Sequence, residues 1–119
     1  MANRVVHWEV MGRNGKALRD FYSRMFDWEF NTDAPGDYGV VRAPEGGIGG
    51  GVGWTPEGTE GVVTFYVETD DVDAHLRRAE ELGGKVFMPK TEVMEGLTIG
   101  LFTDPEGHVI GLVKAAPQS

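Results

Sequence analysis

The chain has 119 residues, 40% of them apolar and 25% charged, with no cysteine and a formal net charge of −8. These values suit one globular domain with its own core and exclude disulfides, thiolate metal sites and thiol nucleophiles. The eleven basic residues are scattered, so no nucleic-acid partner is expected, since phosphate backbones are bound by clustered Lys and Arg. The first residues, MANRVVHWEV, lack the apolar stretch of a secretory signal, and no apolar run approaches membrane-spanning length. A cytoplasmic protein with no membrane contact is therefore expected.

Residues 5–11, VVHWEVM, alternate as a half-buried strand should, with Val6, Trp8 and Val10 on the apolar face and His7 and Glu9 on the other. Asn14 can cap a helix carrying Leu18, Phe21, Tyr22 and Met25 at helical spacing. WEFNT and YGVVR read as short strands around the turn DAPGD, and GIGGGVGW as a fourth strand. After the turn-forming connector TPEGTEG the pattern restarts. VVTFYVE alternates Val63, Phe65 and Val67 against Thr64, Tyr66 and Glu68. Asp70 or Asp71 can cap a helix with Val72, Leu76, Ala79 and Leu82 on one face, closed by Gly83 and Gly84. KVFMP, LTIGLFT and HVIGLVK supply three more strands, with KTEVMEG as the longer turn between the first two.

The order is thus βαβββ, connector, βαβββ. A shift of 57 residues lays HWEV on TFYV and aligns the helices, and a shift of 61 lays PEGGIGG on PEGHVIG. Two copies of a small unit, neither able to bury its sheet alone, predict a single α+β domain over 1–119. Module 1 covers about 4–54, the connector 55–61 and module 2 about 62–115.

His7 and Glu9 share a strand face, which suggests an acid–base pair in which Glu9 holds the imidazolium form. Thr64, Tyr66 and Glu68 occupy the matching face of the second copy, where Tyr66 can hydrogen-bond a substrate or act as an acid. Six of the eight residues from Gly46 to Gly53 are glycine. No Lys-Ser/Thr and no GxGxxG register accompanies them, so a phosphate loop is excluded. Glycine in a strand instead marks close approach, here making room for a ligand with Trp54 closing one side. His75 and His108 are expected on the surface, and the absence of GxSxG and HExxH removes hydrolase and zincin readings.

The strand bearing His7, the helix exit FYSRMFDWEF, the segment FYVETDDVDAHLRRAEELGGKVF and the closing FTDPEGHVIGLV together resemble the vicinal oxygen chelate superfamily of glyoxalases, bleomycin-resistance proteins and extradiol dioxygenases. The resemblance spans essentially the whole chain. It implies paired βαβββ modules whose curved sheets enclose a cavity, commonly in a homodimer, with a divalent metal in the catalytic members. Carried over residue by residue, the metal-ligand positions are His7, Gly50, Thr64 and Gly111. Only His7 retains a donor of the usual kind, so no metal and no cofactor are expected.

The resulting reading is a small-molecule-binding protein with a metal-poor cavity. Any catalysis would rest on His7, Glu9 and Tyr66, and the ligand would be bounded by Gly50, Trp54, Thr64, Glu68 and Gly111, with Met11 and Met94 as further walls. A neutral or cationic flat molecule suits that mixture. The alternatives are a metal-dependent lyase, isomerase or dioxygenase using His7 and Glu9 as ligands, and a sequestering protein without turnover.

Overall fold

The computed structural model describes residues 2–33, 36–55 and 60–114. Ala34 and Pro35 of the expected turn, and residues 56–59 of the connector, lie outside the described residues. The elements are β1 (Val5–Gly12), α1 (Gly15–Phe26), β2 (Phe30–Asn31), β3 (Tyr38–Val41), β4 (Gly50–Trp54), β5 (Val62–Thr69), α2 (Val72–Glu81), β6 (Lys85–Met94), β7 (Leu97–Thr103) and β8 (Val109–Lys114). The repeated βαβββ order is therefore present. The chain forms two compact units, one of His7–Thr64 and the other of Met1–Val6 with Phe65–Ser119.

In the unit of His7–Thr64 the strand order is β2-β3-β4-β1, with β1 parallel to β4 and the other neighbours antiparallel. Asn14 caps α1, its Oδ1 accepting from Ala17 N at 3.0 Å. The Arg19 guanidinium ties the helix to the sheet, donating to Asp37 Oδ1 at 2.6 Å and to Val52 O at 3.4 Å. Val52 is fully buried. Of the expected apolar helix face, Leu18 and Tyr22 are half-buried but Phe21 and Met25 remain 56% and 57% exposed.

In the other unit the order is β5-β8-β7-β6, with β5 parallel to β8. Asp71 caps α2 by accepting from Ala74 N at 3.0 Å. That contact repeats the Asn14–Ala17 contact 57 residues on. Val72 and Leu76 of α2 pack on Leu112, with Val67 and Phe102 against them. The helix closes at Gly83, whose φ of +101° favours glycine, and Gly84 N donates to Ala79 O at 2.8 Å. Asn3 and Arg4 belong to this unit too: Glu68 N donates to Arg4 O at 2.8 Å.

One expected turn is mostly strand. The sequence places a long turn over KTEVMEG, whereas β6 continues through Met94 and only Glu95 and Gly96 turn. Pairing of β6 with β7 shifts register between Val86 and Met88, between Met88 and Thr91, and between Glu92 and Met94. Irregularities of this kind absorb extra residues without breaking the strand.

Glycines in the strands make way for rings from their neighbours. Gly50 pairs with Trp8, and a Cβ on Gly50 would fall inside the indole. Gly111 pairs with Tyr66, whose ring covers it in the same way. Adding a methyl at either position overpacks the sheet, so Gly50→Ala and Gly111→Ala should each lower stability by about 1–3 kcal/mol. Urea unfolding of the two variants checks this, and unchanged midpoints would mean that the rings move aside freely.

Candidate functional site

A hydrogen-bonded polar group lies on the β1–β4–β3 face opposite α1. Alternation along β1 puts His7, Glu9 and Met11 on that face, while Trp8 turns to the helix side and stacks on Trp28, ring centroids 4.7 Å apart. Tyr38 reaches the same face from β3. Its hydroxyl donates to Glu9 Oε2 at 3.0 Å and lies 2.8 Å from His7 Nε2. The phenol can cross the sheet because its path runs over glycines. A Cβ on Gly51 would collide with the phenol end of the ring, and one on Gly53 would come within 2.6 Å of its Cδ1. Met11 Cε lies beside the same Gly53 position.

A phenol has one proton. With that proton given to Glu9, the 2.8 Å contact is made with His7 Nε2–H donating to the phenol oxygen. Burial lowers the His7 pKa from its ordinary 6.5, favouring neutral imidazole. This corrects the expected direct pair in which Glu9 holds an imidazolium. Tyr38 bonds to both side chains, and burial is the cause of the lowered His7 pKa.

The structure distributes the other expected site residues differently. Gly50 lies on the helix side beneath Trp8 rather than beside His7, and Gly51 is the residue paired with Glu9. Trp54 pairs with Gly12 at the end of the helix-side row, so it does not wall the His7 face. Thr64 is buried in β5. Tyr66 is buried with its ring over Gly111. Glu68 is paired with Arg4 at 3.0 Å. Met94 is exposed at the end of β6. His75 and His108 are exposed as expected, with His75 Nδ1 2.6 Å from the Thr69 hydroxyl and His108 Nδ1 2.9 Å from Asp104 Oδ2. Sequence reasoning passed over Tyr38. Its signal was an aromatic residue on a strand facing a Gly-x-Gly pair.

Among the described residues no three His, Cys, Asp or Glu side chains gather in a way that could hold a metal ion. A divalent metal would need several such donors, and the His7 and Glu9 side chains are instead joined by a phenol. The donor set does not fit the metal that the family resemblance implies, and no chemistry is derived through one. Among the described residues no helix is long and apolar enough to cross a membrane.

Comparison with known proteins agrees with this architecture. The profile described as Glyoxalase-like domain matches residues 10–113. The chain is 29% identical over 106 residues to "Putative glyoxylase CFP32" of Mycobacterium bovis, covering 83% of this chain and 41% of that protein, and the protein of the same name in Mycobacterium tuberculosis matches equally. It thus spans about two fifths of the length of these relatives. Among solved structures, methylmalonyl-CoA epimerase from Mycobacterium tuberculosis superposes with a TM-score of 0.67 at 14% identity, over 95% of this chain and 88% of that one. A glyoxalase/bleomycin resistance protein/dioxygenase superfamily member from Vibrio splendidus gives 0.64 at 15% identity, over 96% and 100%. A Streptomyces coelicolor methylmalonyl-CoA epimerase variant in complex with 2-nitronate-propionyl-CoA gives 0.66 at 19%, over 98% and 100%. At such identities the likeness is one of fold.

The lowered pKa of His7 has a consequence for stability. As pH falls below 6.5, the unfolded chain takes up a proton at this residue before the folded chain does. Stability should therefore decline through that window and level off once pH is below the folded value. His7→Gln should flatten the decline, read as urea-unfolding free energy between pH 7.5 and 5. An equal slope in wild type and variant would contradict the assignment.

Proposed function

The chain belongs to the glyoxalase-like domain family, and we propose that it binds a small organic molecule against the face carrying His7, Tyr38 and Glu9 and moves a proton on that molecule without a divalent metal. The observation that carries this reading is the hydrogen-bonded series from His7 Nε2 through the Tyr38 hydroxyl to Glu9 Oε2, at 2.8 and 3.0 Å. Neutral imidazole is a competent base near neutral pH. The imidazole accepts a proton from an acidic C–H or O–H of the bound molecule. The positive charge that results is stabilised by the Nε2–H bond to Tyr38 and, through the polarised phenol, by the Glu9 carboxylate. Return of the proton to a neighbouring atom completes an isomerisation, and loss of a leaving group completes an elimination.

Met11, Val40 and the Tyr38 ring supply apolar surface on that face. With Glu9 ionised and a net charge of −8, a neutral or cationic flat molecule is favoured over an anion. The fold itself accommodates acyl ligands in the methylmalonyl-CoA epimerases.

The test is solvent deuterium exchange into a panel of small carbonyl compounds, followed by NMR. His7→Ala should reduce exchange by about a hundredfold or more, Tyr38→Phe by less, with an altered pH profile, and a chelator should leave both rates unchanged. Loss of activity on chelation and recovery on adding a divalent metal would overturn the reading. Binding without exchange in wild type would leave a sequestering protein instead.

The reading includes a homodimer, supported by the exposed Phe21, Met25 and Phe26 on α1. Light scattering should give twice the 13.0 kDa chain mass at micromolar concentration, reduced by Phe21→Ser. A monomeric wild type would contradict it.

A further inference from the structure

A pocket of about 340 Å³ opens on the α2 side of the β5–β8–β7 sheet, within the unit of Phe65–Ser119. Val67, Phe102 and Leu112 form its floor, Ala79 and Leu82 of α2 form a wall, and Arg78 stands at the rim. The volume is at the lower end of the range for small-ligand sites, and the lining is almost wholly apolar.

The internal repeat says what shape is missing. A shift of 57 residues carries the α1 cap onto the α2 cap and takes Tyr22 to Ala79, Phe26 to Gly83 and Trp28 to Lys85. In the unit of His7–Thr64 those three aromatic residues form a group: Tyr22 and Trp28 lie 5.9 Å apart and Phe26 and Trp28 4.9 Å, with Trp8 stacked beneath. The unit with the pocket has the same caps and the same topology but none of the three rings. Leu82 is left 63% exposed at the mouth. Of the three positions Ala79 lines the pocket, so space beside the helix that the Tyr22 ring takes in one copy is open in the other.

The rim adds a charge. Arg78 meets Glu81 at 3.6 Å, with both side chains more than 60% exposed, and such a pair holds its partners weakly. The other polar groups at the rim are engaged locally. His75 is bonded to Thr69, and Asp104 accepts from Glu106 N, His108 N and the His108 ring. Asp104 is the carboxylate of the lining, and with it engaged by these donors the guanidinium is the group placed to receive an anion from a ligand whose body lies on the apolar floor.

We propose that this pocket is a second binding site, distinct from the His7 face, for a flat aromatic carboxylate of one or two rings, with the rings over Val67, Phe102 and Leu112 and the carboxylate on Arg78. It is independent of the proton chemistry assigned to His7.

The probes are 2-naphthoate and its neutral amide, with binding measured by calorimetry and by NMR shifts at Leu82, Phe102 and Leu112. The carboxylate should bind with shifts confined to these residues and should bind at least fivefold more tightly than the amide. Arg78→Gln should remove that preference while leaving amide binding unchanged. Ala79→Trp, which puts back a ring where the repeat has Tyr22, should weaken 2-naphthoate at least tenfold. Leu82→Trp at the exposed mouth should do the same and serves if Ala79→Trp fails to fold. His7→Ala should have no effect. No binding at millimolar probe, undiminished binding to the Trp variants, or equal affinity for amide and carboxylate would overturn the proposal. So would a dimer that Leu82→Trp dissociates, since the pocket would then hold a second copy of the chain.

Discussion

Several strand glycines in this protein are seats for aromatic rings. Neighbouring strands lie about 4.8 Å apart, so a large ring can lie across an adjoining strand only where no Cβ rises beneath it. Trp8 lies over Gly50, Tyr66 over Gly111 and Tyr38 over Gly51 and Gly53. The contact stabilises twice. It buries ring area that would otherwise face water, and it covers backbone that glycine leaves open. It also fixes function. Gly50 and Gly111 stand at positions where the family resemblance implies metal-binding side chains, and the space above each is filled from within the chain. A carboxylate at either position would have to displace a ring before it could meet a metal.

The same constraint builds the polar group. Tyr38 could not bring its hydroxyl to both His7 and Glu9 if residue 51 carried a side chain. Placing a phenol between an imidazole and a carboxylate changes the electrostatics from those of an ion pair. A direct carboxylate would raise the imidazole pKa, whereas one reached through a neutral phenol is further away and partly spent on the phenol proton. Burial lowers the His7 pKa and so favours the neutral ring. A neutral imidazole with a polarisable anchor suits accepting a proton, and an imidazolium salt bridge suits holding an anion. The difference rests on one intervening residue.

The fold was legible because its signals are local and occur twice. Alternation at period two marked β1 and β5, the side chains of Asn14 and Asp71 marked the helix starts, and the 57-residue shift tied the halves together. The extension of β6 was not legible, because KTEV carries too little apolar contrast to be told from a turn. At the site, alternation placed His7, Glu9 and Met11 together correctly, since they share one strand. It could not place Tyr38, whose partners lie 29 and 31 residues away and depend on the β3–β4 register. It also misjudged Gly50, because the 61-residue shift that superposes Gly50 on Gly111 says nothing of which face either occupies. In the structure Gly50 pairs with Trp8 on the helix side, whereas Gly111 neighbours the helix-side Leu112 and so faces the other way.

That difference of one residue in strand register shows how two copies of one motif separate in chemistry while keeping their topology. Register fixes which of two adjacent glycines seats a ring, and so which face each ring fills. In the first copy Trp8 goes to the helix side and joins Tyr22, Phe26 and Trp28 there, so that side is packed with rings, while the opposite face keeps its polar residues. In the second copy the ring over glycine is Tyr66 on the opposite face, and the helix side has Ala79 and Gly83 where rings stood before. One copy has a helix side packed with rings and a sheet face on which the Tyr38 ring sits with His7 and Glu9. The other has a ring-covered sheet face and an open helix side. Caps, helices and strand order survive because they depend on short-range signals that both copies keep. Volume and polarity are set by a few side chains over glycine, which can change without disturbing any of those signals.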